Sequence, residues 1–275
     1  MVLNKIFDLL SLTQTSVGRY VFIVLLSLLS AVIFLLIFKK TSNQKKIKYH
    51  KNKIFGYVLQ IPLYKDRFGV LFSSIGQILK HNALYVLHTL ASLIFIIIPL
   101  IFIMVQINNR CGYAPLAQGQ DFLIQVTLND TADQATLEGV SCELSPGIVL
   151  ETPALRVEDE KQVFWRARVV DGSPENTSSI RIQLEGHSPV IEKYLATAYN
   201  QQRFSPEKKQ PSFWNRIFYN AEGYLPADTP VTEISTEYAR AGYPFLFWQV
   251  DAIILFFILT LIFGFALKGV FRVNL

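Results

Sequence analysis

The chain has 275 residues, 51% of them hydrophobic and only 17% charged, with a formal net charge of +5 and a mean hydropathy of +0.31. Soluble domains carry about 25% charged residues, so this balance excludes an ordinary soluble domain and a disordered chain. Two cysteines exclude a disulfide-dense scaffold and a four-cysteine zinc site.

Residues 1–19 lead into Tyr20–Phe38, nineteen residues without a charge, closed by Lys39 and Lys40. A bilayer core takes roughly 20 apolar residues per helix, which predicts a transmembrane helix over 20–38. The run is longer than the apolar core of a signal peptide, and no small-x-small cleavage site follows it. Leu84–Ile107, twenty-four uncharged residues between Lys80 and Arg110, predicts a second helix over 84–107. Ala252–Leu267 is uncharged over sixteen residues, and Tyr243–Gln249 extends it beyond Asp251. A third helix is expected over 244–268, with Trp248 at the interface and residues 269–275 as a tail.

The connection 39–83 holds ten lysines and arginines against one acid, Asp66, whereas 107–242 holds twelve basic and eighteen acidic residues. Positive charge near helix ends marks the cytoplasmic side. The 39–83 loop and the C-terminus are therefore expected inside, and the N-terminus and the acidic domain outside. Within the loop, Ile47, Ile54, Val58 and Ile61 form one heptad-like seam and Phe68, Phe72, Ile75 and Leu79 another. Pro62 separates them. The pattern predicts an antiparallel helical hairpin with the seams packed together and Lys45, Lys46, Lys48, Lys51 and Lys53 on the outer face. Two readings of these lysines stand side by side: contact with anionic lipid headgroups, or contact with a client or acidic protein partner. No aromatic platform accompanies them, so nucleic acid is not an expected partner.

Residues 108–204 read as β structure. Phe122, Ile124, Val126 and Leu128 alternate with polar neighbours, as do Val163, Trp165, Ala167 and Val169, and Ile180, Ile182 and Leu184. Turn signals separate the runs, which predicts an antiparallel all-β sandwich, Ig-like in general form. Residues 205–243 read as a connector whose stretch Phe213–Tyr219 either lies flat in the membrane interface or caps the sandwich. Cys111 and Cys142 both fall outside in this topology, where a disulfide is chemically allowed.

No phosphate-binding loop, nucleophile elbow or zinc-protease motif is present, and the four histidines are scattered along the sequence. The expectation is a non-enzyme without metal or cofactor. Arg19, the last charge before the first span, and Asp251 both fall at the outer membrane boundary. They are a candidate helix–helix ion pair; the competing reading has Asp251 facing solvent.

One stretch resembles a known superfamily. A first helix with its N-terminus outside leads through Lys39-Lys40-Thr41-Ser42-Asn43-Gln44-Lys45-Lys46-Ile47-Lys48 into a basic hairpin and then a helix broken at Ile98-Pro99. This order, over residues 17–107 and 244–268, resembles the Oxa/YidC/Get-type membrane insertases and their archaeal relatives. It is also similar to uncharacterised bacterial three-span proteins. The insertase resemblance implies a groove open to the cytosol, for which Ser27, Ser30, Thr89, Ser92 and Thr260 are the candidate lining. It differs in carrying about 135 residues between the second and third helices, where the superfamily has a short link. The expected object is a three-span protein of a bacterial inner (cytoplasmic) membrane serving membrane-protein biogenesis, in contact with lipids and client membrane segments. The alternative is a scaffold subunit whose sandwich holds a partner.

Overall fold

The structure, a computed structural model, describes residues 15–64, 66–170, 178–185, 187–197, 205–219 and 221–273. The chain divides into two compact units: one combines the residues up to Ile23 with Met104–Leu255, the other combines Val24–Ile103 with the residues from Phe256 onward.

Three helices dominate the second unit, and the first and third of them run beyond it. Helix α1, Ser16–Thr41, covers the first expected span with a turn to spare at its start and carries Lys39 and Lys40 in its last turn, where cations favour the helix dipole. Helix α2, Gln44–Leu63, starts at Asn43, whose side chain accepts from the Lys46 N–H and satisfies one of the orphan donors of the first turn. Helix α3, Phe68–Cys111, is a single element of 44 residues. The second arm of the hairpin and the second apolar run are therefore one helix, about 66 Å long at 1.5 Å per residue. Pro99 lies inside it. Helices α1 and α3 are long and apolar enough to cross a membrane.

The other unit is built on antiparallel strands. They are β1 Asp121–Leu128, β2 Val140–Leu144, β3 Ile148–Leu150, β4 Leu155–Val157, β5 Gln162–Val169, β6 Ser178–Leu184, β7 His187–Leu195, β8 Glu207–Lys209 and β9 Val231–Thr236. One sheet runs β3-β5-β1-β9-β8, with β4 also on β5; a second runs β2-β6-β7. The predicted alternation holds: Phe122, Ile124, Val126 and Leu128 of β1, Val163, Trp165, Ala167 and Val169 of β5, and Ile180, Ile182 and Leu184 of β6 are all buried in one core. Both sheets contribute to that core, as period-two patterning on facing sheets requires.

The domain boundary moves. Strand β9 pairs along β1 with Val126 opposite Ile234, and β8 pairs with β9. Val231, Ile234 and Tyr238 belong to the core, so the domain reaches well past residue 204 and the expected connector supplies two of its strands. Helix α4, Gln134–Glu138, and helix α5, Phe213–Phe218, are short insertions. The third apolar segment also differs from expectation. Gly242–Phe245 (β10) and Trp248–Asp251 (β11) form a hairpin of their own, and helix α6 begins only at Ala252 and ends at Leu267. Pro244 cannot donate within a helix, and the sequence Gly-Tyr-Pro-Phe favours an extended strand.

Candidate functional site: the helical hairpin and the surfaces around it

The contact between α2 and α3 includes polar pairs that the two-seam expectation does not name. His50 Nδ1 and His81 Nδ1 share a hydrogen bond of 2.9 Å, the His50 and His88 rings stack at 5.6 Å, and Tyr57 stacks on His81 at 5.8 Å. One turn away Ser74 Oγ donates to Gln60 Oε1 at 3.2 Å. Ser74, His81 and His88 are spaced by sevens, and so are His50 and Tyr57: this is the heptad that packs. The histidines scattered along the sequence are brought together, three of the four in one cluster. A spacing search on histidine rather than on apolar residues would have found it. Among the described residues no group of three or more His, Cys, Asp or Glu is arranged to hold a metal ion. Desolvation lowers the His50 pKa, and the neighbouring His81, His88 and Lys46 lower it further.

The second expected seam is left outside, whereas of the first Ile47 is buried, Ile54 and Ile61 are half-buried and only Val58 is exposed. Ile47 is buried against Leu35 and Phe38 of α1, but Phe68, Phe72 and Leu79 of α3 are 71%, 69% and 64% exposed, and Phe55, Leu59 and Val58 of α2 are exposed as well. In the first half of α2 Lys45, Lys46, Lys48, Lys51 and Lys53 are all exposed, and the Lys53 ammonium lies 5.8 Å from the Tyr49 ring centre.

The five candidate groove residues do not line one open groove. Ser27, Ser30 and Ser92 are fully buried. Ser27 Oγ donates to the Phe256 carbonyl at 3.4 Å, Ser30 Oγ to that of Leu26 at 2.6 Å and Thr89 Oγ1 to that of Tyr85 at 2.9 Å. Small hydroxyl residues at these positions let helices approach closely and turn their polarity back onto backbone carbonyls. Thr89 and Thr260 border a cavity of about 240 Å³ walled by Phe34, Phe38, Leu93 and Phe265. Its character is apolar. Ser92 Oγ and Thr260 Oγ1 have no partner among the described residues.

Arg19 is buried and donates from Nη1 to the Tyr113 carbonyl at 3.0 Å. Asp251 is engaged elsewhere: Oδ1 accepts from the Ile253 N–H at 2.8 Å, and Oδ2 lies 3.9 Å from Arg240 Nη1. It caps α6 and is only partly exposed, so the solvent-marker reading is also incomplete. Cys111 and Cys142 are both free thiols. Cys111 is buried, with its carbonyl accepting from the Tyr243 hydroxyl at 2.8 Å, and Cys142 sits within β2 opposite Ile182, where burial pushes its pKa up to about 12. In α5 no residue is buried, and Phe213, Trp214 and Phe218 are exposed and in mutual ring contact. These aromatics do not cap the β core.

No protein-family model and no curated protein sequence matches the chain.

Proposed function

We propose that the chain is a non-enzymatic membrane-protein biogenesis factor, chaperone-like or insertase-like, in a bacterial inner membrane. In this reading three helices span the bilayer, the hairpin of α2 and the first half of α3 lies in the cytoplasm, and an Ig-like sandwich faces outward. The observation that carries it is the exposure of the hairpin's apolar side chains, Phe68, Phe72 and Leu79 on α3 and Phe55 and Leu59 on α2, on a helix pair that also exposes five lysines. A surface that combines apolar contact with positive charge suits apolar segments arriving near an anionic leaflet. The work assigned to it is holding, since the inter-helix serines are sealed and offer no polar path.

A photoreactive amino acid in place of Phe72, in the full chain in native membranes, tests this. Crosslinks to newly made membrane proteins are expected, diminished when Lys45, Lys46 and Lys48 are reversed to Glu. Crosslinks confined to lipid or to a second copy of the chain would overturn it.

A scaffold reading is favoured by one separate observation, the burial of Ser27, Ser30 and Ser92. There the helices serve as an anchor and the sandwich holds a partner subunit. Co-purification of one stoichiometric partner lost by changes in the sandwich, and kept when the hairpin face is altered, would select it.

A further inference from the structure

The hairpin of β10 and β11 turns through two residues, Leu246 and Phe247, closed by the pair Phe245 and Trp248. Leu246, Phe247 and Trp248 are 78%, 93% and 72% exposed, three large apolar side chains in succession at the end of a projecting ribbon. Leu246 adopts φ 54°, the left-handed region where a side chain is strained and where a two-residue turn with this first position takes glycine. A turn needed only to reverse the chain would carry glycine there. Leucine is held against that strain, which points to what its side chain meets.

Two further facts say what that is. Residues 241–250 hold no charge, so beyond Asp251 at its base the ribbon lacks the charges that keep an exposed strand pair in water. Strand β11 also passes straight into α6, with Asp251 as both the last strand residue and the acceptor for the Ile253 N–H. The ribbon is tied without a linker to sixteen uncharged residues, about 24 Å of helix against a hydrocarbon core of about 30 Å.

We propose that the tip Leu246-Phe247-Trp248 seats in the headgroup-to-acyl boundary of the lipid bilayer and anchors the short third apolar segment there. Leucine and phenylalanine enter the acyl region, and the Trp248 indole N–H remains among headgroups, the position tryptophan favours. This rests on the reading that α6 enters the bilayer.

The test uses the full chain with Trp214→Phe in vesicles of phosphatidylcholine and phosphatidylglycerol. Emission then comes from Trp248 and from Trp165, which is buried in the sandwich core; Trp214→Phe with Trp248→Phe supplies the Trp165 background. Lipid brominated near the glycerol end of its chains should cause a loss of Trp248 emission, lipid brominated near the methyl end a smaller loss, and aqueous iodide almost none. Iodide quenching without bromine quenching overturns the proposal. So does a Trp248 that is water-exposed in vesicles and shielded only in native membranes, which assigns the tip to a protein partner. Leu261→Cys in a Cys142→Ser background separates the two levels. Protection of that cysteine from an impermeant maleimide beside a water-exposed Trp248 refutes the tip alone, and its labelling refutes entry of α6 into the bilayer.

Discussion

Three side-chain clusters decide more than their neighbours do. The His50–His81 hydrogen bond needs one neutral ring to accept, and the environment of His50 disfavours its charged form. A histidine whose folded pKa is depressed binds fewer protons folded than unfolded, so its contribution is complete above the unfolded value of about 6.5 and is lost as pH falls below it. Amide protection in α2, taken relative to the intrinsic exchange rate at each pH, is expected to fall as the pH drops from 7.5 to 5.5, and His50→Gln should remove most of that dependence. Asp251 makes a different prediction from the ion pair suggested by sequence. As a helix cap, Asp251→Ala should cost about 0.5–2 kcal/mol, while Asn or Ser should restore most of it; thermal unfolding in detergent distinguishes these. Lys193 is fully buried, donating to Glu222 at 3.0 Å and to the Ser205 carbonyl at 2.8 Å. Lys193→Ala strands a buried carboxylate and should destabilise the β unit by about 3–5 kcal/mol, read by near-UV circular dichroism on heating.

At the scale of elements, legibility followed whether one physical term dominated. The long uncharged runs gave α1 and the apolar half of α3, because desolvating a charge in hydrocarbon outweighs every local preference. Strands β1, β5 and β6 were readable because alternation between core and solvent leaves a period of two. The continuity of α3 was not readable: hydropathy marks only the apolar stretch, and no Gly or Pro near residues 80–84 signals a break or its absence. Strand β9 was hidden because Thr232, Glu233, Ser235 and Thr236 look like loop, and its place beside β1 depends on a pairing more than a hundred residues away in sequence. The hairpin shows the sharpest limit. Periodicity identified apolar faces correctly and could not say what covers them; the seven-residue spacing of Ser74, His81 and His88 supplied the actual contact. Ile75 is exposed, so Ile75→Asp should change the protease sensitivity of the hairpin little, with a stability change within about 0.5 kcal/mol. His81→Asp, placed in the packed seam, should open it.

For the molecule as a whole, the outstanding quantity is which side of a membrane each unit meets. Ten basic residues and one acid in 39–83, against a net excess of six acids in 107–242, are the basis of the proposed orientation, hairpin inside and β domain outside. Ser74 and Ser179 are both buried, and cysteines there would report packing in place of sidedness. Ser73 and Ala135 are exposed, the first on α3 in the hairpin and the second on α4 in the β unit. In a Cys142→Ser background, Ala135→Cys should react with an impermeant maleimide added outside intact cells, and Ser73→Cys only after the membrane is opened. Because α1, α3 and the β domain are one covalent chain, the two results are coupled. Reaction of both cysteines from one side would mean that α3 does not cross, despite a length of about 66 Å, and would return its exposed apolar face to a protein partner. Reaction in the reversed order would instead mean that the lysines of α2 act outside, where they meet acidic surfaces other than the inner leaflet.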